Sequence, residues 1–150
     1  MLKKIIIATI ALAAAGTAGY YLANLVYDKA VQLDTLPEKI MTFIDTNFPE
    51  EKIAFAKQDR DFLKMTYEIL LTDGTKLEFR RNGDWKEIDR HRTRIPGGII
   101  PAQIAAKINE LYPDSFITKA EYDDNKIETE LDNGLELKFD SRGALIGIDR

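Results

Sequence analysis

Residues 71–90 read LTDGTKLEFRRNGDWKEIDR, and residues 131–150 read LDNGLELKFDSRGALIGIDR. The second stretch repeats the first without a gap, so that Leu71 matches Leu131 and Arg90 matches Arg150. Each stretch contains two glycine turns and ends in Ile-Asp-Arg. Self-similarity at one fixed offset is typical of a duplicated structural unit. The sequence therefore predicts one folding unit that occurs twice.

The similarity extends towards the amino terminus at a slightly larger offset. Leu36-Pro37 matches Ile100-Pro101, and Phe48-Pro49 matches Tyr112-Pro113. The first copy is longer around residues 58–63, where a hairpin loop accommodates extra residues at little entropic cost. Both copies are thus complete, and they differ mainly in one loop.

Each copy is predicted to open with an amphipathic helix. Thr35 to Glu38 fits a capping box, in which the Thr35 hydroxyl accepts a hydrogen bond from a free amide of the first turn. Pro49 and Pro113 are expected to end the two helices. The apolar residues with helical spacing are Ile40, Phe43, Ile44 and Phe48 in the first copy and Ile100, Ile104, Ile108 and Leu111 in the second.

After each helix the apolar residues alternate, which predicts half-buried antiparallel strands. Asp73-Gly74 and Asn133-Gly134 are expected to supply the two positive-φ residues of tight hairpin turns. The predicted fold is α+β: two tandem helix-plus-antiparallel-strands repeats, with the helices packed on one face of an antiparallel sheet. We expect one continuous core, whereas the pattern leaves open whether the repeats share one continuous sheet.

The amino terminus has the pattern of an export signal. Two lysines precede the apolar run Ile5–Ala15, and small residues follow at 16–19. This predicts a signal peptide with cleavage after Ala18 or Ala23, and an uncleaved membrane anchor is the alternative. Both place the domain in the periplasm or cell envelope. The predicted organisation is a signal peptide or anchor at 1–23, a lead segment at 24–35, repeat 1 at 36–90, a linker at 91–99 and repeat 2 at 100–150.

Composition argues against several classes of function. The formal net charge is −4, with acidic and basic residues interspersed, so no basic footprint for nucleic acid is present. The chain has no cysteine and a single histidine, His91, which disfavours thiol chemistry and ordinary zinc sites. Ser141 lies in a predicted turn that accounts for it without a catalytic triad. We therefore predict no catalytic residue, no metal site and no cofactor.

The tandem pattern resembles the PepSY-like proteins, also called β-lactamase-inhibitor-like proteins. The resemblance is carried by four segments: Leu36-Pro37 to Phe48-Pro49, residues 85–90, Ile100-Pro101 to Tyr112-Pro113, and residues 131–140. It covers Leu36 to Arg150 and includes no catalytic motif. The resemblance implies a small exported bacterial protein with helices on one face of an antiparallel sheet. It also implies an open opposite face that binds another protein.

The leading hypothesis is therefore a non-enzymatic, inhibitor-like module that binds another envelope or secreted protein through the open face of its sheet. Contact with a membrane is expected only if the N-terminal segment is not cleaved. The residues predicted to line the open face are Lys64, Glu68, Glu78, Arg80, Glu130 and Lys138, with Trp85 at its margin.

Two other functions remain as alternatives. A periplasmic small-ligand or cation-binding protein would use the acidic loops at residues 59–61 and 123–125 to gather an ion. An enzyme would need an acid-base pair among Glu128, Glu130 and Glu136. A ladder of charges on a solvated sheet is the simpler interpretation of these three glutamates.

Overall fold

The computed structural model describes residues 30–61, 64–123 and 125–150, without the side chains of residues 60, 61 and 64. The predicted signal segment at 1–23 and residues 24–29 of the lead segment lie outside this range. Among the described residues, no helix combines the length and apolarity that crossing a membrane requires.

The described chain contains two α-helices and eight strands. The helices are α1 (Glu38–Asn47) and α2 (Ala102–Leu111), and a short 3-10 turn at Leu33–Thr35 precedes α1. The strands of the first half are β1 (Ile53–Asp61), β2 (Lys64–Leu71), β3 (Lys76–Arg80) and β4 (Trp85–Asp89). Those of the second half are β5 (Ile117–Asp123), β6 (Lys126–Leu131), β7 (Glu136–Phe139) and β8 (Leu145–Asp149).

All eight strands form one antiparallel sheet in chain order, β1 to β8. The two halves join where β4 pairs with β5, with Ile88 opposite Ala120. The backbone pairing continues beyond β4, since the amide of Ile95 donates to the carbonyl of Ile117 at 2.9 Å. Ile95 is buried, so the predicted linker is packed at this point. The two halves therefore share one continuous sheet, which answers the question that the sequence pattern leaves open.

The core lies between the two helices and one face of the sheet. Ile40 and Ile44 of α1 and Ile104 and Ile108 of α2 are buried in one apolar cluster with alternate residues of the strands. Burying an isoleucine of this kind stabilises the fold by roughly 1.5–3 kcal/mol. The buried apolar strand residues are Ala56, Tyr67, Ile69, Leu71, Leu77, Phe79, Ile88, Ala120, Ile127, Leu131, Leu137 and Phe139.

The predicted buried stripe of the second helix is wrong at Leu111, which is 41% exposed. Tyr112 packs against the core instead. Tyr112 is the C-cap of α2 and continues the i, i+4 row of Ile104 and Ile108, as Phe48 continues the row of Ile40 and Ile44 in the first half. The stripe therefore continues at position 112.

The predicted capping box is also wrong. The N-cap of α1 is Pro37, and the Thr35 hydroxyl donates to the carbonyl of Gln32 at 2.7 Å. Leu36 is extended, with ψ 143°, because a residue that precedes proline avoids the helical region. The helix therefore begins too far from Thr35 for its hydroxyl to reach the amides of the first turn.

Four of the hairpins, β2–β3, β3–β4, β6–β7 and β7–β8, share a three-residue loop, which is one residue longer than the tight turns predicted at Asp73-Gly74 and Asn133-Gly134. In the first, Leu71 donates its amide to Thr75 O and accepts from the amide of Gly74, which encloses a three-residue loop. Gly74 has φ +87°, whereas Asp73 has negative φ and its carboxylate accepts from the Thr75 amide. A type I turn followed by one left-handed residue is a common hairpin of this length. The other three turns place Gly83, Gly134 and Gly143 at the left-handed position.

Two of these glycines provide a matched pair for testing the contact between helix and turn. Both Gly74→Ala and Gly83→Ala put a side chain at positive φ, which costs about 1 to 2 kcal/mol. A Cβ at Gly83 would also lie 3.0 Å from Cβ of Lys39 on α1, whereas a Cβ at Gly74 would meet nothing within 4 Å. We expect Gly83→Ala to lose about 1 kcal/mol more in urea unfolding. Equal losses would contradict this close approach of α1 to the β3–β4 turn.

Candidate functional site on the open sheet face

The face of the sheet opposite the helices, here called the open face, carries a row of five glutamates. There is one on each strand from β2 to β6, and each lies directly opposite the next in strand register. The members of this carboxylate row are, in order, Glu68, Glu78, Glu87, Glu121 and Glu128. Lys57 on β1 and Lys138 on β7 lie opposite its two ends.

The adjacent row on the same face has a different charge pattern. Its central members Lys76, Asp89, Lys119 and Glu130 lie opposite one another and alternate in sign. Opposite charges in cross-strand pairs stabilise a sheet, and like charges destabilise it. The five consecutive carboxylates are therefore not a general property of this solvated face.

Lysines beside and at the ends of the carboxylate row offset part of the repulsion. Four of its five glutamates form ion pairs, and the pairs are Lys57–Glu68 at 3.2 Å, Lys86–Glu78 at 3.1 Å, Lys119–Glu87 at 2.9 Å and Lys138–Glu128 at 3.8 Å. Burial lowers the pKa of Lys86 and of Lys119, but the hydrogen bonds to Glu78 and Glu87 and the attraction of the surrounding carboxylates together outweigh it and raise both pKa values. Both lysines are held in their charged form.

Glu121 is the least compensated member of the row. Among the described side chains, none forms an ion pair with its carboxylate. Burial raises the pKa of Glu121, and the negative charge of Glu87 opposite it raises the pKa further, against the weaker opposing effects of Lys86 and Lys119. An added positive charge would therefore be stabilised most strongly at the centre of the row.

The sequence matches, over residues 25–69 and 65–147, the family model described as "Putative beta-lactamase-inhibitor-like, PepSY-like". The chain belongs to the PepSY-like family. The resemblance inferred from the tandem motifs is thereby confirmed. Among proteins with curated descriptions, none matches this PepSY-like sequence significantly.

Three crystal structures share its fold at substantial identity. One, described as a "putative periplasmic protein" of Bacteroides vulgatus, is 37% identical and has a TM-score of 0.79, covering 83% of this chain and 98% of its own. A "putative calcium-regulated periplasmic protein" of Bacteroides thetaiotaomicron is 41% identical, with TM-score 0.79 and coverage of 82% and 97%. A second Bacteroides vulgatus protein, described as "of unknown function", is 30% identical, with TM-score 0.78 and coverage of 82% and 99%. The chain is an exported periplasmic or cell-envelope protein, as its N-terminal pattern predicts.

Most of the residues predicted for the open face of this PepSY-like sheet lie there by strand register. Glu68 and Glu78 are members of the carboxylate row, and Glu130 and Lys138 lie on the same face. The side chain of Lys64 lies outside the described residues. Arg80 has the register of this face, but its Nη2 donates to the carbonyl of Tyr122 and its guanidinium lies 5.0 Å from the centre of the Tyr122 ring. Arg80 thus links β3 to β5.

The predicted position of Trp85 at the margin of the open face is wrong. Trp85 lies opposite Phe79, packs against the core, and makes an edge-to-face contact with Tyr122 at 6.0 Å between ring centres. If the side chains of β4 alternated strictly from the buried Ile88, Trp85 would lie on the open face. A β-bulge between β3 and β4 adds Lys86 as an extra residue, and this turns Trp85 to the helix-covered face.

Sequence reasoning missed Glu87 and Glu121, the two glutamates at the centre of the row. They become neighbours only because β4 pairs with β5, and the sequence pattern does not specify that pairing. Alternation around Ile88 and Ala120 would have found them if one continuous sheet had been assumed.

The alternative ion-binding loops are only partly described, because the side chains of residues 60 and 61 and all of residue 124 lie outside the described residues. In the described part of the chain, no group of three or more acidic, histidine or cysteine side chains is placed to hold a metal ion. The described residues of these loops therefore offer the cation hypothesis no preformed site.

Replacing Glu121 by glutamine tests the repulsion in the row. Because its folded pKa is raised above 4.5, the destabilising charge appears as the pH rises through that raised pKa and is absent well below pH 4.5. We expect Glu121→Gln to increase the free energy of unfolding by roughly 0.2–1 kcal/mol at neutral pH. Urea unfolding at about pH 3.5 should show a much smaller gain, because Glu121, whose pKa is raised in the folded state, is then mostly protonated in both states.

The control for this measurement is Glu50→Gln, which removes a carboxylate from the exposed turn after α1. Its stability should match that of the parent at both pH values. A neutral-pH gain for Glu50→Gln equal to that for Glu121→Gln would attribute the effect to net charge and contradict a local repulsion.

Proposed function

We propose that this protein is a non-enzymatic periplasmic binding module whose open face holds a positively charged surface of another envelope or secreted protein. We interpret the sheet as two tandem helix-plus-strands repeats placed side by side, so that one wide face results. The observation that supports the proposal is the uninterrupted carboxylate row. An inhibitor-like role, in which the module restrains a hydrolase, fits the description of its family.

The dimensions of the row suit a protein partner. Strands lie about 4.8 Å apart, so five glutamates extend over roughly 19 Å. Such a line of carboxylates matches several lysine or arginine side chains of an extended segment or a flat surface. A partner of this charge would relieve the repulsion between opposed glutamates and would be guided to the face electrostatically.

The arrangement favours binding over catalysis. The carboxylates extend from strands onto a broad face, whereas acid-base chemistry usually takes place in a concave site that excludes water. Glu130 and Glu136, two of the glutamates considered for an enzyme, lie opposite each other as one further like-charge pair of this face.

Crosslinking capture from envelope extract tests the proposal. The row variant combines Glu78→Gln, Glu87→Gln and Glu121→Gln. The control variant combines Glu38→Gln, Glu50→Gln and Glu110→Gln, which remove the same charge from the helix side and its turns. We expect the parent and the control to capture the same protein, the row variant to lose it, and the complex to weaken as ionic strength rises.

Capture that persists in the row variant would contradict binding through the carboxylate row. Loss in both variants would make the interaction a consequence of overall charge, and it would also contradict a role for this particular face.

A second candidate function is regulation by a divalent cation. Its support is the row of carboxylates together with the Bacteroides thetaiotaomicron relative, which is described as calcium-regulated. Carboxylate oxygens are the ligands that Ca²⁺ prefers, and extracellular modules bind it with Kd of about 10⁻⁴ to 10⁻³ M. Side-chain movement would have to gather these oxygens, since neighbouring row members belong to different strands.

Thermal unfolding with and without millimolar CaCl2 tests the cation hypothesis. A ligand that binds only the folded state raises Tm, so we expect an increase in the parent that disappears in the row variant. MgCl2 and a chelator serve as controls. An unchanged Tm would contradict cation binding, and a shift that survives in the row variant would exclude the row as its site.

A further inference from the structure

The two ends of the sheet differ in how their edge strands are covered. At β1, Ala30 forms an antiparallel bridge with Lys57, and the amide of Val31 donates to Ala56 O at 3.0 Å. At the other end, β8 pairs with β7 alone within the described chain. An uncovered edge strand presents unpaired backbone groups to any other strand.

The equivalent strand in the first repeat shows which kind of neighbour this edge can bind. Strand β8 is the counterpart of β4, and β4 carries β5 on the same edge. Ile88 on β4 is 0% exposed, whereas its counterpart Ile148 on β8 is 49% exposed. The same residue at equivalent positions is thus covered in one repeat and uncovered in the other.

The neighbouring position strengthens the contrast. Lys86, the bulge residue of β4, corresponds to Ile146 in β8, which is 53% exposed. Natural edge strands are commonly protected by charged residues, above all lysine. Strand β8 has isoleucine where its counterpart has lysine. Its edge is therefore less protected than a permanently exposed edge would be.

We infer that β8 pairs with β8 of a second copy, in antiparallel register with Ile148 opposite Ile148, to form a symmetric dimer with one continuous sheet. A second copy pairing through β1 would have to displace the residues that already cover that edge. Pairing of β8 with itself needs no rearrangement of the described residues, and its two-fold symmetry closes the assembly.

The charges at this edge are compatible with the pairing. The counterpart of Glu87 is Gly147, so the carboxylate row does not reach the edge. Asp149 is already paired with Lys138 at 3.2 Å within one copy. The two-fold axis would be perpendicular to the sheet, so both open faces would lie on the same side of the dimer. The proposed dimer thus doubles the width of the open face.

Sedimentation equilibrium of the untagged exported protein tests the dimer, because a C-terminal tag would extend β8. One short strand pair per interface is smaller than a standard interface of about 1,600 Å², so we expect a Kd in the micromolar range or weaker. Ile148→Lys should weaken dimerisation at least about tenfold. Leu33→Lys, at an exposed leucine of the 3-10 turn, should leave it unchanged.

A single cysteine gives a second measurement that does not depend on affinity. The chain contains no cysteine, so Ile148→Cys has one thiol, which a short bismaleimide should crosslink to its counterpart in the second copy. Leu33→Cys should give no crosslinked dimer. A chain that stays monomeric up to about 1 mM would overturn the proposal. Self-association that Ile148→Lys leaves intact would overturn it as well.

Discussion

The pairing of β4 with β5 is the interaction on which the rest of the structure depends. It places Ile88 opposite Ala120, and both side chains are completely buried. One helix on four strands buries little apolar surface, and small units are correspondingly marginal. Through this pairing the apolar residues below both helices become one cluster. The eight-stranded sheet and its single core both result from the pairing of β4 with β5.

The pairing of β4 with β5 also produces the negative charge of the open face. Repeat 1 contributes Glu68, Glu78 and Glu87 to the carboxylate row, and repeat 2 contributes Glu121 and Glu128. The row is confined to the middle of the sheet because the repeats have diverged: Lys138 and Gly147 occupy the positions of Glu78 and Glu87 in the second copy. Neither repeat alone would carry five consecutive carboxylates. The concentrated negative charge therefore arises from the arrangement of two unlike copies.

Small irregularities determine which side chains reach that face. In each half a β-bulge lies between the third and fourth strands. It turns Trp85 towards the core, and it leaves Lys86 beside Glu78 with both carboxylate oxygens 3.1 Å from its Nζ. One inserted residue thereby moves an aromatic side chain to the covered face and supplies the counter-charge for a glutamate on the other.

The sequence by itself determined the similarity between its two halves, the two helices, the alternation that assigns Glu68, Glu78, Glu130 and Lys138 to one face, and the periplasmic or cell-envelope location. These features depend on periodicity, on turn residues and on composition, which are local properties of the chain. The tertiary structure alone decided the partner of β4, the face of Trp85 and the union of five glutamates in one row. Strand pairing across a linker depends on burial of apolar surface by distant residues. A bulge depends on the register between two strands, and no local pattern specifies either.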